Sequence, residues 1–227
     1  GLANSKKMLF SEDGIRINKW QNEINQYSSN SDITACIETM TALNLANSIF
    51  VDCTSSEEIS RQYRRILKDS ISVVTPNKKA NSSQTDEYLK LTLAASKSNA
   101  RFLYETNVGA GLPILSTLND LLNSGDKILK IEAVLSGTLS HVFNSFNGEK
   151  PFSEVVREAM EKGYTEPDPR DDLNGLDVAR KLLILARETG QLIDFKDIEV
   201  ENLVPENCRK AKTIDQFFKE LKKSEKY

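Results

Sequence analysis

The sequence predicts an α/β fold in two parts that meet near residue 110. Three observations carry this expectation. Short apolar runs alternate with amphipathic helical stretches up to Thr106. That β-α-β-α-β order calls for parallel pairing with right-handed crossovers. Beyond Gly111 the texture changes to helices grouped around one long alternating run, the pattern of an α+β arrangement.

The first part opens with "RINKWQNEINQY" (16–27) and "DITACIETMTALNLA" (32–46), which carry apolar residues at helical spacing and are joined by the polar loop "SSNS". "SIFVDC" (48–53) reads as a buried strand, and "TSSEE" after it is a helix start, because a Thr or Ser hydroxyl caps orphan N–H groups. "EISRQYRRILKD" (58–69) then reads as helix, "ISVVT" (71–75) as strand, "SQTDEYLKLTLAASKSN" (83–99) as helix and "RFLYET" (101–106) as strand.

In the second part "LPILSTLNDLLNSG" (112–125) is a helix with Pro113 in its first turn, where a missing N–H costs nothing. "KILKIEAVLSG" (127–137) is the longest strand expected, and it gives this part a mixed sheet. "FSEVVREAMEKG" (152–163) and "LDVARKLLILARETG" (176–190) are amphipathic helices closed by Gly163 and Gly190. Residues 1–110 thus form an incomplete Rossmann-like nucleotide-binding domain, and 111–227 an α+β domain. The first is incomplete because G-x-G-x-x-G occurs nowhere. "VGAGLP" lacks the third glycine and follows a late strand, and the chain opens at "GLANS" as if earlier strands preceded it.

Composition excludes several functions. A net charge of −3 gives no basic face for nucleic acid. No apolar run approaches the ~20 residues that span a bilayer. Three separated cysteines without a C-x-x-C pair, and one histidine, exclude a disulfide framework and a Cys/His zinc site and suit a reducing, cytoplasmic compartment. His141 has a structural role on this reading.

The densest chemistry lies in residues 161–177, which hold six carboxylates and two prolines. Pro167 and Pro169 force Glu166 and Asp168 extended, so the loop presents Glu166, Asp168, Asp171 and Asp172 as a rim. Asp177 and Lys181 follow at i, i+4 on one helix face. An isolated pair of this kind is usually a surface salt bridge, worth a few tenths of a kcal/mol. Here the flanking "LDVA" and "LLILA" bury much of the helix, and a buried lysine needs a partner and suits proton transfer.

Carboxylates grip an amino group while such a lysine exchanges a proton at a nearby oxygen. Elsewhere, Thr54 and Ser55 end one parallel strand and Lys78 follows another, where ligands of open α/β sheets bind. Thr54 and Ser55 suit a nucleotide there, and Lys78 a phosphate or carboxylate. Glu105 with the turn carbonyls of "ETNVGAGLP" suits a hard cation, or is a plain strand–turn–helix join.

Together "GYTEPDPRDDLNGLDVARKLLILARETG", "TNVGAGLPIL", "VLSGTLSHVFN" and "VDCTSSEE…VVTPNKKAN" resemble the homoserine dehydrogenase family, over nearly the whole chain. The phrasing is similar above all to the dehydrogenase module of bifunctional aspartokinase–homoserine dehydrogenases. The resemblance implies NAD(P)H-dependent, reversible reduction of L-aspartate 4-semialdehyde to L-homoserine in threonine and methionine biosynthesis, by a homodimer. It implies Lys181 as the proton-transfer residue, Glu166 and Asp177 at the substrate's amino end, and Asp172 in support. Thr54, Lys78 and Gly163 would lie along the NADP or NAD cofactor and the cleft. Glu105, with the carbonyls of Val108, Ala110 and Leu112, would match a sodium-type cation site. Two alternatives stand beside it: a dimerisation and substrate-domain fragment without turnover, and a cysteine-dependent semialdehyde dehydrogenase that uses Cys53 as nucleophile.

Overall fold

The computed structural model describes residues 1–225, which divide into two compact units. The first comprises Gly1–Asn77 and Leu89–Tyr104, the second Lys78–Tyr88 and everything from Glu105 onward.

In the first unit, β1 (Leu2–Ala3), β2 (Lys7–Leu9) and β3 (Ser29–Asn30) form a small antiparallel sheet in the order β1-β2-β3. These strands are too short to leave a period-2 signal in the sequence. Between β2 and β3 lies α1 (Trp20–Tyr27), which starts later than the apolar spacing suggested. Next comes α2 (Ile33–Leu43), capped by Asp32, whose carboxylate accepts from the N–H groups of Thr34 and Ala35 at 2.8 and 3.1 Å. It ends three residues before Ala46 because Asn44 turns left-handed at φ 44°.

The parallel sheet then builds in chain order from β4 (Ile49–Val51), β5 (Ser72–Val74) and β6 (Phe102–Leu103). Ile49 lies opposite Ser72, and Val73 opposite Phe102. The helix expected over 58–69 is two pieces, α3 (Glu57–Ser60), capped by the Ser56 hydroxyl, and α4 (Tyr63–Lys68). Tyr63, Ile66, Leu67 and Val73 are fully buried, so α4 seals one face of the sheet. α5 (Thr85–Ser98) provides the second crossover, between β5 and β6.

The second unit is helical among the described residues. It contains α6 (Ile114–Asn123), α7 (Gly137–Ser145), α8 (Phe152–Glu161), α9 (Pro169–Leu173), α10 (Leu176–Glu188), α11 (Glu206–Arg209) and α12 (Ile214–Ser224). Val142, Val156, Leu173, Cys208 and Phe217 form the centre of one core cluster. Lysines 222 and 223 lie in the last turn of α12, whose Phe217, Phe218 and Leu221 are buried. Lys226 and Tyr227, the end of the basic tail, lie outside the described residues.

One expectation fails here. Residues 127–136 form no strand, so the mixed sheet expected in this unit is absent among the described residues. A strand exists only when a neighbour takes its backbone hydrogen bonds. This stretch pairs with no strand among the described residues, and Leu129 and Val134 stand 94% and 79% exposed. No helix among the described residues is long and apolar enough to cross a membrane.

Candidate active site

The site is built on α10. Gly175 precedes it at φ +76°, a left-handed conformation that a side chain would strain. A Cβ there would also stand 3.0 Å from Val200. Asp177 sits in the first turn, where the helix dipole favours negative charge. Ala179, Leu183 and Ile184 anchor the buried face, which leaves Asp177 and Lys181 one turn apart on its flank.

The Lys181 ammonium donates to Asp177 Oδ2 and to the Leu135 carbonyl, each at 2.7 Å. Lys78 Nζ lies 3.3 Å from the other Asp177 oxygen, Oδ1. Two ammonium groups therefore share one carboxylate. The Lys181 and Lys78 side chains are 17% and 26% exposed, against 47% for Asp177. Burial by itself pushes the Asp177 carboxyl up, but the Lys181 hydrogen bond and the charges of both lysines outweigh it. The net result holds Asp177 below the usual carboxylate range. Beside this group opens a cleft of about 750 Å³, walled by apolar residues such as Ala110, Ile114, Leu118 and Val134. Among the described residues Lys181 is the one charged side chain that lines it.

The acid-rich loop differs from the rim expected of it. Asp168 is extended and its side chain accepts from the Arg170 N–H, which starts α9 with Pro169 at the first helical position. The same carboxylate is bridged by the Arg170 guanidinium at 2.5 Å, which also donates to the Ala211 carbonyl at 2.7 Å. Both Asp168 oxygens are thus engaged by Arg170. Asp172 accepts from the Glu166 N–H at 2.8 Å and so fixes the loop's backbone. That leaves Glu166 as an exposed carboxylate on a braced turn, with Asp171 exposed beside it.

Gly163 follows the end of α8 at φ +72°, with its N–H on the Met160 carbonyl, a helix-ending role. Thr54 and Ser55 are exposed just past the carboxyl end of β4. The Thr54 N–H donates to Asp52 Oδ1 at 2.7 Å and its hydroxyl accepts from the Ser56 N–H at 3.1 Å. Lys78, expected at a ligand's phosphate or carboxylate, is instead paired within the chain with Asp177. Glu105 turns both carboxylate oxygens onto the N–H groups of Leu115 and Ser116, at 2.8 and 2.9 Å, at the start of α6. Val108 is buried, Ala110 turns at φ +52°, and Leu112 is exposed with its carbonyl on the Ile114 N–H at 2.9 Å. Cys53 is exposed, and the only imidazole, His141, is engaged edge-on by Tyr164 at 4.6 Å.

Two buried polar centres escaped the sequence reading. Asp52, 2% exposed, accepts from Thr54 N–H, from Asn77 Nδ2 at 3.1 Å and, in a short bond, from the Tyr63 hydroxyl. Arg187, 3% exposed, is buried in α10. The signals were present: an aspartate that closes an apolar run, and an arginine inside "LLILARE".

A sequence model described as homoserine dehydrogenase matches residues 113–226, and one described as homoserine dehydrogenase, NAD binding domain, matches residues 1–105. The chain belongs to the homoserine dehydrogenase family. The bifunctional aspartokinase/homoserine dehydrogenase 2 of Arabidopsis thaliana is 47% identical over 97% of this chain and 24% of its own length. The homoserine dehydrogenase of Schizosaccharomyces pombe is 43% identical over 89% of this chain and 55% of its own. Among solved structures, a hyperthermophilic archaeal homoserine dehydrogenase mutant in complex with NADPH superposes with a TM-score of 0.65 and 30% identity. That match covers 76% of this chain and 51% of the other. The chain therefore spans about a quarter of the length of the bifunctional plant relative.

Proposed function

We propose that this chain carries the proton-transfer and substrate-holding part of a homoserine dehydrogenase, which reduces L-aspartate 4-semialdehyde to L-homoserine with NAD(P)H. The observation that supports this reading is the Lys78–Asp177–Lys181 group, in a chain of this family. Aldehyde reduction needs a proton at the oxygen as that atom gains charge. Lys181 has three N–H bonds, two of them fixed by Asp177 and Leu135, so the third is aimed and free to meet an alkoxide. Its charge stabilises the same oxygen. Lys78 adds a second positive charge on the other side of Asp177, so Asp177 acts mainly by orienting two ammonium groups. Glu166, held extended and exposed, is the carboxylate left for the substrate's amino group, with Asp172 bracing its backbone.

A bound nicotinamide supplies the hydride. On this chain Thr54 and Ser55 fit its nucleotide: their hydroxyls lie exposed past the carboxyl end of a parallel strand, on backbone fixed by buried Asp52. In this scheme residues 1–110 are part of the NAD(P)-binding domain and 111–227 are the catalytic and dimerisation domain, with Gly163 beside the cleft. The sodium-type set fits less well. Glu105 already lies on the N–H groups of α6, where the helix dipole disfavours a cation. A homodimer would use residues 127–136, whose backbone pairs with no strand among the described residues; solution mass tests the dimer and deletion of this segment tests its role.

The test is nicotinamide absorbance with NADPH and aspartate 4-semialdehyde, for the wild type and Lys181→Ala. Turnover by the wild type, lost in the variant while the fold persists, supports the reading. Turnover retained without Lys181 removes the lysine from the reaction. No turnover in either leaves a non-catalytic fragment, and turnover abolished by Cys53→Ala revives the thiol route.

A further inference from the structure

The segment Lys78–Tyr88 follows α10 at three heights. Lys78 meets Asp177 at 3.3 Å. Arg180 Nη1 donates to the Ser82 hydroxyl at 3.1 Å. Arg187 Nη1 donates to the Asn81 carbonyl and Nη2 to the Ser83 carbonyl, both at 2.8 Å, and Nη2 reaches the Thr85 hydroxyl at 3.3 Å. From Lys78 at Asp177 to Ser83 and Thr85 at Arg187 the contacts advance together, with Asn81 and Ser82 side by side between them, so the segment runs broadly in the helix's own direction. At 1.5 Å per residue, the three contacts cover roughly 15 Å of α10.

Ser82 links the middle contact to Lys78 itself, because its N–H and hydroxyl both donate to the Lys78 carbonyl, at 2.9 and 2.8 Å. The lower contact is the most enclosed. The Arg187 side chain is 0% exposed, lies 4.7 Å from the Tyr88 ring centre, and pairs with Asp194 at 3.5 Å. Asp194 in turn accepts from the N–H and hydroxyl of Thr85, at 2.7 and 2.8 Å. A planar guanidinium reaches several separate oxygens at fixed spacing, which a lysine ammonium cannot.

We propose that Arg187 and Arg180 are positioning residues, which fix the 81–85 backbone against α10 and thereby deliver Lys78 to Asp177. The proposal rests on the reading of Lys78, Asp177 and Lys181 as one group, but its test needs no turnover. Every oxygen Arg187 takes belongs either to this segment or to Ile193 and Asp194, which clasp Thr85 from the other side. The arginine therefore sets where the segment lies along the helix, and Lys78 is the segment's first residue.

The experiment is carboxyl ¹³C NMR titration of Asp177 in the full chain. Lys78→Met calibrates it, since removal of that ammonium moves the Asp177 titration upward. Arg187→Lys keeps the charge and loses the fork. It is expected to move Asp177 upward by most of the Lys78→Met shift while Asp168, held by Arg170, stays put. An unmoved Asp177 overturns the proposal. If Asp168 moves as well, the unit has loosened generally and Arg180→Lys decides: a shift confined to Asp177 supports positioning, and no shift overturns it. Loss of turnover with both titrations unmoved speaks against the positioning role and leaves the catalytic reading intact.

Discussion

Asp52 and Asp177 are carboxylates at comparable places, each just beyond or at the start of a regular element, and each with several partners. Their partners differ in kind. Asp52 is 2% exposed and takes three neutral donors: a phenol, an amide and a backbone N–H. Asp177 is half-exposed and takes two ammonium groups. The three neutral donors tie the end of β4 to α4 and to the segment after β5. Burial, reinforced by the bond to Asp52, pushes the Tyr63 phenol far up, so it remains a donor at any working pH. At Asp177 the partners are themselves charged, and one of them, Lys181, lines the neighbouring cleft. The first arrangement reads as scaffold, and the second is the one on which the proposed proton transfer rests.

The largest test of that contrast is Lys181→Met. Proton transfer by a placed side chain is worth about 10²–10⁴ in rate, so turnover of the active enzyme is expected to fall by that factor with the melting temperature almost unchanged. An equally large loss of stability would make Lys181 scaffold as well. Tyr63→Phe should do the reverse. It leaves a buried carboxylate short of one donor, at a cost of about 2–3 kcal/mol in urea unfolding. Third is Gly109→Ala, which sharpens the wall of the cleft. Gly109 holds φ +83°, and a Cβ there would stand 2.4 Å from Ile114. Strain of this kind costs on the order of 1–2 kcal/mol, measured by thermal melting.

The smallest effect is the pH dependence carried by Asp177. Its folded pKa is depressed, so it stabilises the chain above the unfolded value, and that stability is lost as pH falls through the folded one. Half exposure screens the effect. The stability difference between wild type and Asp177→Asn should therefore be small at neutral pH and vanish in acid. A difference that grows as pH falls would overturn the sign.

The parallel sheet was legible because β4 and β5 are short apolar runs bounded by turn and capping signals. The i, i+4 spacing of Asp177 and Lys181 was legible too, since four residues of helix fix it. The pairing of Lys78 with Asp177 was not, because ninety-nine positions separate them and no periodicity spans that gap. Asp168 looked like a ligand because its carboxylate shows in the sequence while its use by Arg170 does not. The stretch 127–136 read as strand from its alternation, which is correct chemistry for a strand and silent about whether a neighbour is present.

By itself, the sequence determined the helices α2, α5, α6, α8 and α10, the prolines that restrict Glu166 and Asp168, the single histidine and the family. These follow from local backbone preference and residue type, which act over a few positions. Only the tertiary structure decided that Asp177 is shared by two lysines, that Glu105 caps α6, and that Arg187 holds the segment behind Lys78. Those facts depend on which donors reach which oxygens once the chain has closed, and hydrogen bonds form by distance in space rather than along the chain.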